Sequence, residues 1–193
     1  IMAAIGQATK YGVLIKSGEA LEILGALNTL VFDKTGTLTY GNLEVSDIVS
    51  LNDDLSDLDL LKLTASCEKL SEHPLAKAIV NNANEAQIDI EEPKEFKMYP
   101  GKGVACKNSY GQVYAGNSKF IDENNIDVDV GDYLDQLKNE GKASIIVALN
   151  GKVAGLIGLS DVIREDSKGM IESLHDLGTE TILLTGDNAE TAN

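Results

Sequence analysis

The chain has no tryptophan, three prolines and two cysteines, Cys67 and Cys106. Two cysteines far apart, without Cys-x-x-Cys spacing, write neither a disulfide framework nor a zinc site, and they set the expectation of a reduced, intracellular setting. Each reads as a core or strand residue, since neither has a second soft ligand beside it in sequence. Basic residues are also scarce: 16 Lys and Arg stand against 31 Asp and Glu, a formal net charge of −15. Such a surface repels nucleic acid and anionic membrane, which argues against nucleic acid as a partner. No apolar run approaches the ~18 residues of a membrane span, and no signal peptide is written. The hydrophobic content, 43% of 193 residues, is ordinary for a globular protein with a packed core.

The opening IMAAIGQATKYGVLI begins without a start methionine and reads like the tail of a longer apolar element, so the chain is expected to belong to a larger protein. ALNTLVFD is an apolar run of strand length ending at Asp33 in a polar, glycine-bearing turn, the pattern of a buried parallel strand. NDDLSDLDLLKLTASCEKL predicts a helix capped by Asn52 or Asp53, with Leu55, Leu58, Leu61 and Ala65 on one face. SEHPLAKAIVNNANEA predicts another, with Ser71 as cap, Pro74 in the first turn and Leu75, Ile79 and Ala83 together. From Phe96 the period becomes two. GVACKNSYGQVYAG predicts a hairpin turning near Asn108–Gly111, and ASIIVALNGKVAGLIGL a second, because Asn150-Gly151 supplies the positive-φ pair of a type I′ turn.

Short helices are expected around residues 118–123 and 133–139. REDSKGMIESLHDLG predicts a helix closed by Gly178, with His175 an ordinary residue near its negative end. TETILLTGDN then returns to the first style, an apolar strand ending at Thr185-Gly186-Asp187. Two such strands around an antiparallel unit predict an α/β fold: a split Rossmann-like domain hosting an inserted α+β domain. In an open α/β sheet ligands gather at the carboxyl ends of strands, which puts Asp33 and Thr185 at one crevice.

The segment DKTGTLT raises the chemical question. A carboxylate that attacks a phosphoryl group forms an acyl phosphate and divides one difficult transfer into two easier ones. It needs a rigid strand end, amides and hydroxyls for the phosphoryl oxygens, and Mg²⁺ to neutralise charge. Asp33 as nucleophile, Lys34 as cation, Thr35 and Thr37 as hydroxyls and Gly36 as turn residue supply those parts. The competing reading is a plain Asp-x-x-Gly turn. The Asp-rich run NDDLSDLD lacks EF-hand spacing and glycine and reads as a solvated helix start.

The full string DKTGTLT resembles the phosphorylation motif of the P-type ATPases, membrane ion pumps of the haloacid dehalogenase superfamily. The resemblance implies that Asp33 receives the γ-phosphate of ATP beside Lys34 and Thr35, and that the Asp33 side chain and the Thr35 carbonyl hold Mg²⁺. The superfamily's phosphatases carry an acid two places after the nucleophile; here that place is Thr35, which implies a lasting aspartyl phosphate and favours a pump. TGDN is similar to the family's second phosphate-contacting loop, with Thr185 as hydroxyl donor and Gly186 as backbone amide. DVIRED resembles the return linker into the phosphorylation domain.

SEHPLAKAIV resembles the Ser-Glu-His-Pro-Leu signature of the heavy-metal-transporting branch, which implies that His73 and Glu72 contact adenine; otherwise a His beside Pro is a cap or surface residue. PGKGV resembles the branch's Gly-x-Gly nucleotide loop, where Gly101 and Gly103 would let a ligand approach the backbone. It is not a Walker A loop. AGNSKF adds Gly116 and Asn117 to the same pocket, Asn117 reading equally as a helix cap.

Among heavy-metal pumps GVLIKSGEALE is most similar to copper transporters, with zinc, cadmium and lead transporters as the alternatives. The resemblance implies a multi-pass membrane protein whose membrane helices, outside this chain, bind the transported metal ion, with a metallochaperone as partner and this segment facing the cytoplasm. The implied partition is a membrane-helix end and linker over 1–26, phosphorylation domain over 27–42 and 160–193, and nucleotide-binding domain over 43–159. The chain stops at Asn193, before the family's phosphate-site lysine and Gly-Asp-Gly-x-Asn-Asp motif. The expectation is therefore an incomplete phosphorylation domain with a partial Mg²⁺ site, which binds adenine nucleotide but phosphorylates poorly by itself. An ATP-binding module alone and a phosphatase of the same superfamily are the alternatives.

Overall fold

A computed structural model describes residues 2–184. Two short helices lead in: α1 (Met2–Lys10) and α2 (Gly18–Leu24), the latter started by Ser17, whose hydroxyl accepts from the Ala20 amide. Neither buries a residue, and no helix among the described residues is long and apolar enough to cross a membrane.

Strand β1 (Thr29–Asp33) pairs in parallel with β8 (Glu180–Leu184), from Thr29↔Glu180 to Asp33↔Leu184. The two apolar runs are therefore neighbours in space although residues 34–179 intervene. That interval holds a six-stranded antiparallel sheet in the order β2-β7-β6-β5-β4-β3, formed by β2 (Thr39–Ser50), β3 (Lys94–Tyr99), β4 (Gly103–Asn108), β5 (Gly111–Gly116), β6 (Ala143–Leu149) and β7 (Lys152–Ile163). Turn chemistry sets its hairpins. Asn108 pairs with Gly111, and Asn150 (φ +50°) with Gly151 (φ +84°) makes the left-handed pair between β6 and β7.

Helices α3 (Asp57–Glu68) and α4 (Pro74–Glu85) cover one face; α5 (Ser118–Glu123) and residues up to α6 (Gly131–Asn139) pack on the other. Alternation along the strands serves both cores: Ile145 and Val147 join Leu60, Leu63 and Ile79, whereas Ile146 and Ala148 join Phe120, Ile121 and Val130. Helix α7 (Ser167–Asp176) leads through Gly178 (φ +78°) into β8. Strands β2 and β7 run as one ribbon from the turn after β1 into the large sheet, so the positions 42/43 and 159/160 lie inside paired strands.

Two expected helix caps differ. Ser56, not Asn52 or Asp53, starts α3: its hydroxyl accepts from the Asp59 amide while the Asp59 carboxylate accepts from the Ser56 amide, a reciprocal capping box. Asn52 instead accepts from the Asp54 amide and makes the preceding turn. His73, not Ser71, caps α4; the Ser71 hydroxyl accepts from the His73 amide one step earlier. Leu58 is exposed, contrary to its place on the expected apolar face. The buried surface of α3 runs through Leu60, Leu61, Leu63, Ala65 and Cys67, because the helix packs against both the sheet and α4.

Candidate functional site

Two places carry chemistry. At the first, β1 delivers Asp33 to a tight turn over Lys34–Leu38, in which Gly36 has φ +76°, a conformation strained for any L side chain. Thr39 holds this turn. Its Oγ1 accepts from the Gly36 amide (3.1 Å), its amide donates to the Lys34 carbonyl, and its hydroxyl lies 2.6 Å from Asp161 Oδ2 on the returning strand. The Leu38 carbonyl accepts from the Arg164 amide and from the Ser167 hydroxyl, each at 2.9 Å. Asp33 stands at the mouth of the turn with extended backbone and an exposed carboxylate that makes no capping hydrogen bond. The hydrogen bonds that hold the turn come from Thr39, not from that carboxylate.

Lys34 is half-buried and Thr35 exposed in the same turn. Thr185 and Gly186 lie outside the described residues. For a divalent ion, Asp33 and the Thr35 carbonyl offer hard oxygen donors of the type Mg²⁺ takes. Among the described residues no group of three His, Cys, Asp or Glu side chains is arranged to hold a metal, so these donors fit Mg²⁺ as part of a shell rather than as a cage.

The second place is a cavity of about 430 Å³ on the antiparallel domain, of the size that small-molecule sites occupy. Leu75, Met98, Val104 and Ile145 give it apolar walls, and Glu68, His73, Lys102 and Asn117 give it polar groups. His73 reaches it from the start of α4. Its Nδ1 accepts from the Leu75 amide (3.3 Å), which fixes the ring and, in the neutral form, leaves the proton on Nε2.

Glu68 was not among the residues singled out from sequence. It lies in the last turn of α3, is 5% exposed, and burial pushes its carboxyl up to about 7 against the pull of the Ser71 hydroxyl bond. One signal for it was available: a carboxylate at a helix C-terminus opposes the macrodipole, and an acid placed there in an apolar helix needs another reason. Glu72, in contrast, is not brought to the cavity. It pairs with Lys77 at 2.6 Å, is largely exposed, and lines a separate groove between α4 and the start of β2.

The glycines divide into two kinds. Gly101 has φ +70° with open space where a Cβ would stand, so it serves the loop's turn. Gly103 and Gly116 face each other across β4 and β5, and a Cβ on either would collide with strand backbone and approach the Phe120 ring to 2.8 Å. Their lack of side chains is therefore required by the protein's own packing, and both also line the cavity. Phe120 continues into Tyr99, with ring centroids 4.9 Å apart, beneath the loop. Asn117 caps α5 by accepting from the Phe120 amide (2.9 Å), while its Nδ2 donates to the Gly101 carbonyl (3.1 Å) and its backbone amide to the Lys102 carbonyl (3.0 Å). Both readings of Asn117 meet in one residue: a cap that fastens the glycine loop.

The two cysteines are buried as core residues. They also belong to one buried cluster where α3 packs on β4, a nearness that spacing in sequence did not reveal. His175 lies in the last turn of α7 with Nε2 2.8 Å from Thr181 Oγ1, away from both places.

Residues 27–193 match the haloacid dehalogenase-like hydrolases. A copper-exporting P-type ATPase of Staphylococcus aureus (strain JH9) is 38% identical over 194 residues, covering all of this chain and 23% of that protein. The chain thus spans about a quarter of the length of the curated relatives it matches. A zinc-transporting PIB-type ATPase in its E2.Pi state superposes with a TM-score of 0.89 at 33% identity, over the whole of this chain and 31% of that one. The catalytic domain of the CPx-ATPase CopB-B, solved for its conformational changes upon nucleotide binding, superposes with a TM-score of 0.69 at 31% identity, covering 96% of this chain and 65% of that one.

Proposed function

This chain belongs to the haloacid dehalogenase-like hydrolases, and from its likeness to metal-transporting P-type ATPases we propose that it is the catalytic portion of an ATP-driven heavy-metal pump of that kind. Copper is the transported ion in this reading, supported by the 38% identity over the whole chain to a copper exporter. The full protein sits in a membrane with this segment on the cytoplasmic side, and soft ligands in its membrane helices hold the ion, which a metallochaperone delivers.

The observation that carries the proposal is the pairing of two sites on one ribbon. Asp33, with a carboxylate that the turn does not use, ends β1, and β2 and β7 lead from there to a cavity with Glu68 and His73 in its wall. Adenine takes the apolar part of the cavity. Glu68, whose burial favours the neutral acid near pH 7, and His73, through Nε2, supply hydrogen-bonding edges for the base. In the transfer, an Asp33 oxygen bonds to the γ-phosphorus, the bond to the β–γ bridging oxygen breaks, and the electron pair leaves with ADP. The product is an acyl phosphate.

Lys34, the Thr35 hydroxyl, Thr185 and the Gly186 amide hold the phosphoryl oxygens in this reading. Mg²⁺, when bound, neutralises their charge; Asp33 and the Thr35 carbonyl belong to its shell. Thr35 offers no carboxylate to activate water, so the acyl phosphate outlasts the shape change that moves the ion. The test is labelling of the full-length protein with ATP tagged on the γ-phosphate. A hydroxylamine-sensitive phosphoprotein, lost in Asp33→Asn, is expected; a wild type that takes no label, or a mutant that still does, refutes the assignment.

A further inference from the structure

Lys102 is the only Lys or Arg among the described residues lining the cavity. Its backbone is fixed: Asn117 holds the carbonyls of Gly101 and Lys102. The side chain is not. Its ammonium pairs at 2.5 Å with Glu123, the last residue of α5, and both side chains are about 40% exposed. A carboxylate at a helix C-terminus faces the negative end of the helix, so Glu123 owes its place to Lys102; that ammonium holds its carboxyl below the usual glutamate range. In a chain of net charge −15, a polyphosphate nearing the cavity meets a repulsive field and needs a local cation.

We propose that Lys102 is the phosphate-binding cation of the cavity and that Glu123 is its built-in competitor, displaced when the nucleotide's phosphates arrive. A half-exposed pair is weak, so exchanging one anion for a more highly charged one costs little. Lysine suits the exchange, being a compact charge on a flexible stem that swings while its Cα stays fixed. The consequence is selectivity for charge: the pair discriminates a nucleoside triphosphate from a nucleoside and weakens the triphosphate's hold. This inference rests on the nucleotide reading above.

Calorimetric titration of the 193-residue chain with ATP and with adenosine tests it, using wild type, Glu123→Gln, Lys102→Met and the double variant. Glu123→Gln should bind ATP about three-fold more tightly, as removal of a surface competitor predicts. Lys102→Met should bind it about ten-fold more weakly, and in its background Glu123→Gln should bring no gain. Adenosine affinity should be the same in all four, which also reports that each variant is folded. ATP affinity unchanged or weakened by Glu123→Gln, or adenosine weakened by Lys102→Met as much as ATP, overturns the proposal. Wild type binding neither ligand overturns the nucleotide reading itself, and this inference with it.

Discussion

Thr39 Oγ1 lies 2.6 Å from Asp161 Oδ2, across the two strands that join the Asp33 end of the molecule to the antiparallel sheet. One hydroxyl therefore closes the turn after Asp33 and ties the outgoing strand to the returning one. The other Asp161 oxygen, Oδ1, is buried without a hydrogen-bond partner among the described residues, so this carboxylate depends on Thr39. Thr39→Val should cost about 1–3 kcal/mol by leaving a desolvated acceptor unpaired. Thr39→Ser, which keeps the hydroxyl and loses one methyl group, should cost about 1 kcal/mol. Urea midpoints of the two variants check this; a smaller loss in Thr39→Val than in Thr39→Ser would show that the methyl, not the hydroxyl, matters.

Glu68 makes stability depend on pH. Its folded-state carboxyl is raised from 4.5 to about 7 by burial, so between these values the folded protein holds a proton that the unfolded chain has released. Stability should therefore fall as pH rises through that window, by up to about 3 kcal/mol, and level off above it. Glu68→Gln removes the titrating group. Urea melts at pH 5 and pH 8 should converge in that variant and differ in wild type.

Gly101 and Gly103 are two residues apart and predict opposite behaviour. Gly103→Ala drives a Cβ into the Ala115 carbonyl and the Phe120 ring, an overpacking expected to cost about 1–3 kcal/mol or more. Gly101→Ala meets empty space and costs only the left-handed backbone strain, about 1 kcal/mol. Thermal melts of the pair should rank them in that order. The reverse order would mean that the strands separate more easily than their register suggests.

What was legible in the sequence was what local chemistry decides. Asn150-Gly151 can be read as a turn because its backbone preference is its own, and Asp33 as a strand end because the apolar run stops there. Asn52, Asp53 and Ser56 are all good caps, and only the reciprocal bond with Asp59 selects Ser56. Glu68 was hidden for another reason: α3 aims it at a loop more than thirty residues on, a convergence no spacing encodes. Within SEHPL, His73 lines the cavity that Glu68 also lines, whereas Glu72 pairs with Lys77 and lines the groove beside α4.

Cys67 and Cys106 make the same point as a measurement. Each is fully buried and each thiol's neighbour is the other, which, with burial, pushes the Cys67 thiol up and keeps it protonated. Reactivity follows the exposed thiolate, so neither should react with a thiol reagent in the native protein, and both should react once urea unfolds it. Rapid native-state labelling of either would place it outside the core.

His73 carries two roles that a single alanine variant confounds. Its Nδ1 caps α4, and loss of a cap costs about 1 kcal/mol. Its ring also lines the cavity, so on the nucleotide reading proposed above His73→Ala should weaken ATP binding whether the ring touches the base or merely holds the helix in place. Asparagine separates the two, being among the best N-caps yet without an imidazole. His73→Asn should melt close to wild type, and His73→Ala lower. If the ring contacts adenine, both variants should bind ATP about ten-fold more weakly. Wild-type affinity in His73→Asn would reduce His73 to a cap and leave the base to Glu68 and the apolar walls.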